Sequence, residues 1–272
     1  MDRLRIALDQ AKLKREKPET LPFSHRPDPR QGLPESIVYK QTRSVEAPLS
    51  HLREQRIIAA YEENEYVHSY KILRTQVLHR MRENGWNMFG VTSPGEKEGK
   101  TVTAVNLAIS LAMEEGQTVL LVDADLQSPG VHRVLGIGTD QGLADYLLED
   151  IPIGSLLVHP GLGRLVLLPG GRRMGHSAER LTSPKMVALT VELKQRYPNR
   201  MVLFDLPPLL HSADVLAFSP HLDALLLVVE AGRTKREEVE KALQLLRGVP
   251  LIGMVLNKGR GNGTVTQTNP SK

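Results

Sequence analysis

The stretch TSPGEKEGKT, Thr92–Thr101, decides how the rest of the chain is read. It lies between the apolar run WNMFGV and the segment AVNLAISLA, and its last residues, Gly99, Lys100 and Thr101, complete the phosphate-loop pattern GxxxxGK[ST]. The first glycine of that pattern would fall where this chain has Pro94. Proline removes one backbone N–H, but the donors that cradle phosphate lie mainly later in such a loop. A helix starting near Lys100 would turn its unpaired N–H groups and the positive end of its dipole toward an anion. Gly99 would let the backbone approach the phosphates, Lys100 would reach the β- and γ-phosphates, and Thr101 would offer its hydroxyl to Mg²⁺. The competing reading is an ordinary strand-to-helix turn with an exposed lysine.

Outward from the loop, short apolar runs recur at 87–92, 118–125, 164–170, 200–207, 224–232 and 250–257. Helical segments separate most of them: KTVTAVNLAISLAMEEG, SPKMVALTVELKQRY and KREEVEKALQLLRG, the second opening with Ser183 as N-cap and Pro184 at its first helical position. Continuous apolar strands alternating with helices predict an α/β fold, a doubly wound and mostly parallel sheet flanked by helices on both faces.

Two strand ends add carboxylates. LLVDADL places Asp123 and Asp125 at the carboxyl end of one strand, and VLFDLPP places Asp205 at the end of another. Ligands of doubly wound sheets bind at that edge, so these acids and the loop are expected to share a crevice. An acid ending an apolar strand is a usual Mg²⁺-positioning group in phosphoryl transfer, although any one of them alone reads as a helix cap.

Together, SPGEKEGKT, LLVDADLQSPGVHRVLG and VLFDLPP resemble the Walker A, Walker A′ and Walker B motifs of the bacterial tyrosine kinases (BY-kinases) of capsular and exopolysaccharide synthesis. The resemblance runs from about Tyr61 to Lys258, and Pro94 belongs to the family pattern. It implies a P-loop NTPase-like fold and phosphoryl transfer from ATP, with Mg²⁺, to tyrosine. Lys100 would hold the transferred phosphate, and Thr101 and Asp205 would position Mg²⁺. Asp123 and Asp125 would serve the metal and the tyrosine hydroxyl, one of them as general base. The implied catalytic set is Lys100, Asp123 and Asp125, and the implied metal set is Thr101, Asp123 and Asp205. The nucleotide set is Gly95, Glu96, Lys97, Glu98, Gly99, Lys100, Thr101 and Val102, with Asn257 of VLNKG at a position that approaches the base in related ATPases. Asn257 also reads as a simple turn residue.

The chain departs from that family at several points. Gln127 stands where the family commonly has arginine, so the charge of that side chain is missing. Glu96 and Lys97 replace a Pro-Gly pair, and a non-glycine residue with positive φ costs on the order of 1 kcal/mol. Glu98 is usual in the family and is expected to point outward. The family's ExxRxxR oligomer helix corresponds to His68, Lys71 and Arg74, of which Arg74 alone is retained. After Tyr197 no tyrosine follows, although family kinases usually phosphorylate a tyrosine cluster in their tail. Tyr39, Tyr61, Tyr66 and Tyr70 are alternative acceptors, with Tyr66 and Tyr70 also readable as partly buried helix aromatics.

Composition sets the surroundings. The absence of cysteine excludes a thiolate nucleophile, disulfides and cysteine-based metal sites. No apolar stretch suits a bilayer span and MDRLRIALDQ lacks a signal-peptide core, so a cytoplasmic location is expected, with recruitment to the inner membrane face through a partner. Residues 1–43 hold ten Lys/Arg and six Asp/Glu, a surplus equal to the net +4 of the whole chain, so the body is formally neutral and no nucleic-acid partner is expected. The expected organisation is an amphipathic helix over 1–17, a Pro-rich linker over 18–54, an ATP-binding kinase-like domain over 55–260 and a flexible tail over 261–272. A membrane-embedded chain-length regulator would act as activator, and the protein could assemble as a homo-oligomer. Two other readings compete: a switch ATPase of the partition and cell-division type, whose signature lysine is Gly95 here, and a nucleotide-binding module without turnover.

Overall fold

The computed structural model describes residues 42–60, 65–195 and 200–259. The predicted N-terminal helix, most of the linker, the tail, Tyr39, Tyr61 and Tyr197 lie outside the described residues.

In chain order the helices are α1 (Leu49–Glu54), α2 (Glu65–Asn84), α3 (Lys100–Ala112), α4 (Val131–Leu135), α5 (Leu143–Leu148), α6 (Ile153–Leu156), α7 (Ser177–Leu181), α8 (Pro184–Gln195), α9 (Asp214–Phe218) and α10 (Arg236–Leu245). The strands are β1 (Arg43–Ser44), β2 (Met88–Thr92), β3 (Thr118–Asp123), β4 (Val158–His159), β5 (Leu165–Leu168), β6 (Arg200–Asp205), β7 (Ala224–Glu230) and β8 (Leu251–Asn257). They form one sheet in the order β1-β4-β5-β3-β6-β2-β7-β8. Every pairing is parallel except the single antiparallel bridge of β4 with β5, Val158 to Leu167. This is the α/β, mostly parallel sheet expected from the alternating runs.

The central strands β2, β3, β6 and β7 are apolar on both faces because both faces are covered. Phe89, Val91, Val119, Leu121 and Leu203 enter one core layer with α1, α2 and α3, while Met88, Leu120, Val122, Val202 and Phe204 enter the other with α8 and α9. Phe204 meets Phe218 edge-on at 5.1 Å in that second layer. Helix α3 is buried without interruption from Thr103 to Ala112, so its inner half behaves as core rather than as an amphipathic surface helix. At α8 the expected cap is present, with the Met186 N–H donating to Ser183 Oγ at 3.3 Å.

Two strands are additions to the sequence reading. β1 and β4 are two residues long, too short to produce an apolar run, yet β1 pairs with β4 at the sheet edge. Residues 43–54, expected as the last part of the linker over 18–54, therefore belong to the fold. The segment that follows is held from inside: the Asn106 amide accepts from the N–H groups of Ile58 (2.8 Å) and Ala59 (2.9 Å) and donates to the carbonyls of Arg56 (3.1 Å) and Val102 (2.9 Å). Among the described residues no helix is long and apolar enough to cross a membrane.

Candidate functional site

Strand order builds the site. β6 lies between β2 and β3, so the loop leaving β2 and the acids ending β3 and β6 open on the same carboxyl edge. Asp123 and Asp205 face each other in register, and Asp205 also pairs with Val91 just before the phosphate loop. Adjacent strands lie about 4.8 Å apart, so two buried carboxylates are forced together at the foot of α3.

The loop supplies the countercharge. Lys100 Nζ donates to Asp125 Oδ2 at 2.8 Å and lies 3.6 Å from Asp205 Oδ1, while Thr101 Oγ1 donates to Asp205 Oδ2 at 2.7 Å. Burial alone works against the ammonium, but Asp205 and Asp125 outweigh it and raise the Lys100 pKa above the usual lysine value. Burial, reinforced by the charge of Asp205, pushes the Asp123 carboxyl up to about 7. Asp205 is also raised, by burial first, with Lys100 and Thr101 opposing. Asp123 Oδ2 accepts from the N–H groups of Gly130 (2.9 Å) and Val131 (3.0 Å), whereas Asp123 Oδ1 and Asp205 Oδ1 are buried and accept no hydrogen bond. Buried carboxylate oxygens without donors, beside a hydroxyl and an ammonium, suit a hard cation and an anionic phosphate.

Gly99 stands at the N-terminus of α3 with φ 94°, and a Cβ there would lie 2.1 Å from Asn257 Nδ2, so glycine is required twice over. Asn257 Nδ2 donates to the Glu98 carbonyl at 2.9 Å, which ties the end of β8 to the loop. Lys97 adopts the left-handed conformation anticipated for that position, with φ 61°. Glu96 and Lys97 are exposed, and the Val102 side chain packs toward the core, leaving its backbone to the site.

The expectation for Glu98 is overturned. Its side chain is buried, with Oε2 accepting from the Gly95 N–H at 3.0 Å and Oε1 accepting from Thr234 Oγ1 at 2.5 Å. The loop folds over its own glutamate because the Gly95 N–H and the Thr234 hydroxyl offer donors inside. Thr234, and Lys258, which donates to the Lys97 carbonyl at 2.8 Å, are functional residues that no local pattern marks, since they meet the loop from so far along the chain.

Gln127 is not left without partners. Its Nε2 lies 3.1 Å from Ser177 Oγ, 3.0 Å from Ser212 Oγ and 3.3 Å from Asp214 Oδ1, so a neutral amide meets the buried Asp214 carboxylate. Arg74 donates to the Ser110 carbonyl at 3.0 Å and pairs with Glu114 at 3.2 Å, so the retained arginine of the oligomer pattern is engaged with α3 and its C-terminal extension. Tyr66, readable as a partly buried helix aromatic, is 57% exposed at the N-terminal end of α2, whereas Tyr70, one turn further on the same face, is half-buried beside Thr103 and Asn106.

The family model described as "CobQ/CobB/MinD/ParA nucleotide binding domain" matches residues 89–271. The chain is 32% identical over 209 residues to the tyrosine-protein kinase YwqD of Bacillus subtilis, covering 75% of this chain and 87% of the relative. Among solved structures, the kinase domain of the Escherichia coli tyrosine kinase ETK is similar at 26% identity, with a TM-score of 0.66 over 75% of this chain and 80% of that one. The septum site-determining protein MinD of Pyrococcus horikoshii, solved with Mg-ADP, shares the fold at 23% identity, with a TM-score of 0.54 over 65% of this chain and 73% of that one.

Proposed function

The chain belongs to the CobQ/CobB/MinD/ParA nucleotide-binding domain family and, within it, to the bacterial tyrosine kinases, and from that premise we propose that it transfers the γ-phosphoryl group of ATP to a tyrosine hydroxyl. The observation that carries this reading is the meeting of Lys100 and Thr101 with the carboxylates of Asp123, Asp125 and Asp205 in one buried cluster. Thr101, Asp123 and Asp205 would hold Mg²⁺, and the buried oxygens of the two acids that accept no hydrogen bond fit that role. The metal, when bound, neutralises charge that develops on the phosphoryl oxygens.

The chain's own groups do the rest. The backbone from Gly95 to Val102 would cradle the phosphates, with Asn257 near the nucleotide base. Lys100, drawn to the transferred phosphate, would leave Asp125 Oδ2, which is then free to accept the tyrosine proton. The tyrosine oxygen bonds to the γ-phosphorus, the bond from that phosphorus to the β–γ bridging oxygen breaks, and ADP departs with the electron pair.

The system served would be exopolysaccharide synthesis or export at the inner face of a membrane, with a membrane-embedded chain-length regulator as activator, as the family resemblance implies. The acceptor would be an exposed tyrosine of a second copy or of a partner; of the described tyrosines Tyr66 is the most exposed. Purified protein incubated with Mg-ATP, with and without the activator, should gain phosphotyrosine detectable by mass spectrometry. If neither it nor a co-expressed partner gains phosphate, and Lys100→Met changes nothing, the kinase reading fails. Turnover of ATP without phosphotyrosine would select the switch-ATPase reading, for which the MinD likeness supports the fold alone.

A further inference from the structure

The outer side of the phosphate loop is held by residues that take no part in the acid cluster. Three nearly consecutive loop residues are each tied to a distant element. The Gly95 N–H is bound by the Glu98 carboxylate, which accepts from Thr234 Oγ1; that hydroxyl in turn accepts from the Glu230 N–H at 2.8 Å. The Lys97 carbonyl accepts from Lys258 Nζ at 2.8 Å, and the same ammonium lies 2.9 Å from Glu230 Oε2. The Glu98 carbonyl accepts from Asn257, whose Oδ1 receives the Lys258 N–H at 2.9 Å.

Lys97 is the residue that needs this support. At φ 61° a side chain other than glycine is disfavoured by about tenfold in population, and nothing in Lys97 itself compensates. Lys258 sits at φ 58°, also left-handed, and that turn directs its side chain back over the loop to the Lys97 carbonyl. Glu230 holds the ammonium in place, and hydrogen bonding from Lys258 in turn lowers the Glu230 pKa below the usual carboxylate value.

We propose that Thr234 and Lys258 are positioning residues for the nucleotide: they clamp Glu98 and the Lys97 carbonyl, and so keep a strained loop in its phosphate-binding shape before ATP arrives. This rests on the nucleotide-binding reading above. The clamp acts on ATP affinity and leaves the reacting atoms alone, so it separates KM from kcat.

The test measures Mg-ATP binding by titration with a fluorescent nucleotide, beside steady-state turnover of the full chain. Lys258→Met and Thr234→Val are each expected to weaken binding about tenfold with kcat changed less than about twofold, while Thr234→Ser, which keeps the hydroxyl, binds as the unaltered protein does. Lys97→Gly removes the strain, so adding Lys258→Met to it should weaken binding by only about threefold. Unchanged affinity in both single variants, or an equal loss from Lys258→Met with and without Lys97→Gly, overturns the clamp while leaving the nucleotide site standing. A variant that loses kcat along with affinity also overturns it, as would a Thr234→Ser as weak as Thr234→Val. Unaltered protein that binds no nucleotide sinks the functional reading and this inference together.

Discussion

The two sides of one loop are built on different principles. On the inner side, Lys100 and Thr101 meet buried carboxylates at 2.7–2.8 Å, and charge balance governs every contact. On the outer side, Gly95 donates to the Glu98 carboxylate, Glu98 accepts from Thr234 and Asn257, and the Lys97 carbonyl accepts from Lys258, and backbone shape is what those contacts control. On the proposed mechanism the inner side lets charge move during phosphoryl transfer, whereas the outer side keeps the loop from moving.

Substitutions should divide along that line, the inner ones acting on turnover. The largest effect is expected from Lys100→Met, which removes the cation from three carboxylates and, on the proposed mechanism, from the phosphate: kcat for phosphoryl transfer should fall by about 10³-fold. Asp205→Asn should follow at about 10²-fold, because it weakens both the Thr101 contact and the candidate metal site. Its turnover should respond to Mg²⁺ concentration where that of Lys100→Met does not, and a Mg²⁺ titration of the rate checks this. If either variant changed KM alone, the division between the two sides would be lost.

Glu98→Ala sharpens the contrast from the outer side. It leaves the Gly95 N–H and the Thr234 hydroxyl without their shared acceptor inside the protein. A fully buried group left unpartnered costs about 1–3 kcal/mol and these two are half-buried, so urea unfolding should show a loss of about 1–3 kcal/mol in all, accompanied by weaker ATP binding. Asn106→Ala, further along α3, should cost a similar amount through its contacts to Arg56, Ile58, Ala59 and Val102. Its effect on the affinity for ATP should be smaller than that of Glu98→Ala, since its partners lie in the N-terminal segment and the helix rather than in the loop.

The same contrast explains what could be read from the amino acids. The inner side was legible because its parts are local: a glycine-lysine-threonine run at a strand-helix junction, and acids ending apolar strands. In-register strands then bring Asp123 to Asp205 without further instruction. The outer side was illegible because Glu98 and Thr234 lie 136 positions apart and Lys97 and Lys258 lie 161 apart, and neither Thr234 nor Lys258 interrupts a pattern. Glu98 departs from its local sequence for the same reason: a glutamate in a polar loop has no local cause to turn inward. The main strands were visible as apolar runs, while β1 and β4, each two residues long, carry too few apolar positions to stand out.

Gln127 tests the smallest difference, because it lies beyond the loop and outside both groups. Its amide can donate two hydrogen bonds among Ser177, Ser212 and Asp214, so the buried carboxylate of Asp214 is met by dipoles rather than by the cation that the family resemblance implies at position 127. Gln127→Arg would supply a guanidinium able to pair with Asp214 while its stem spans the same exposed position. Because that pair would form away from Lys100 and Thr101, turnover and ATP affinity should each change by less than about threefold, while stability in urea should rise by about 0.5–1 kcal/mol. A gain of tenfold or more in phosphotyrosine formation would mean that the arginine reaches the reacting phosphate. The amide would then be a cause of weak catalysis in this chain, and the inner side of the site would have to be extended to include position 127.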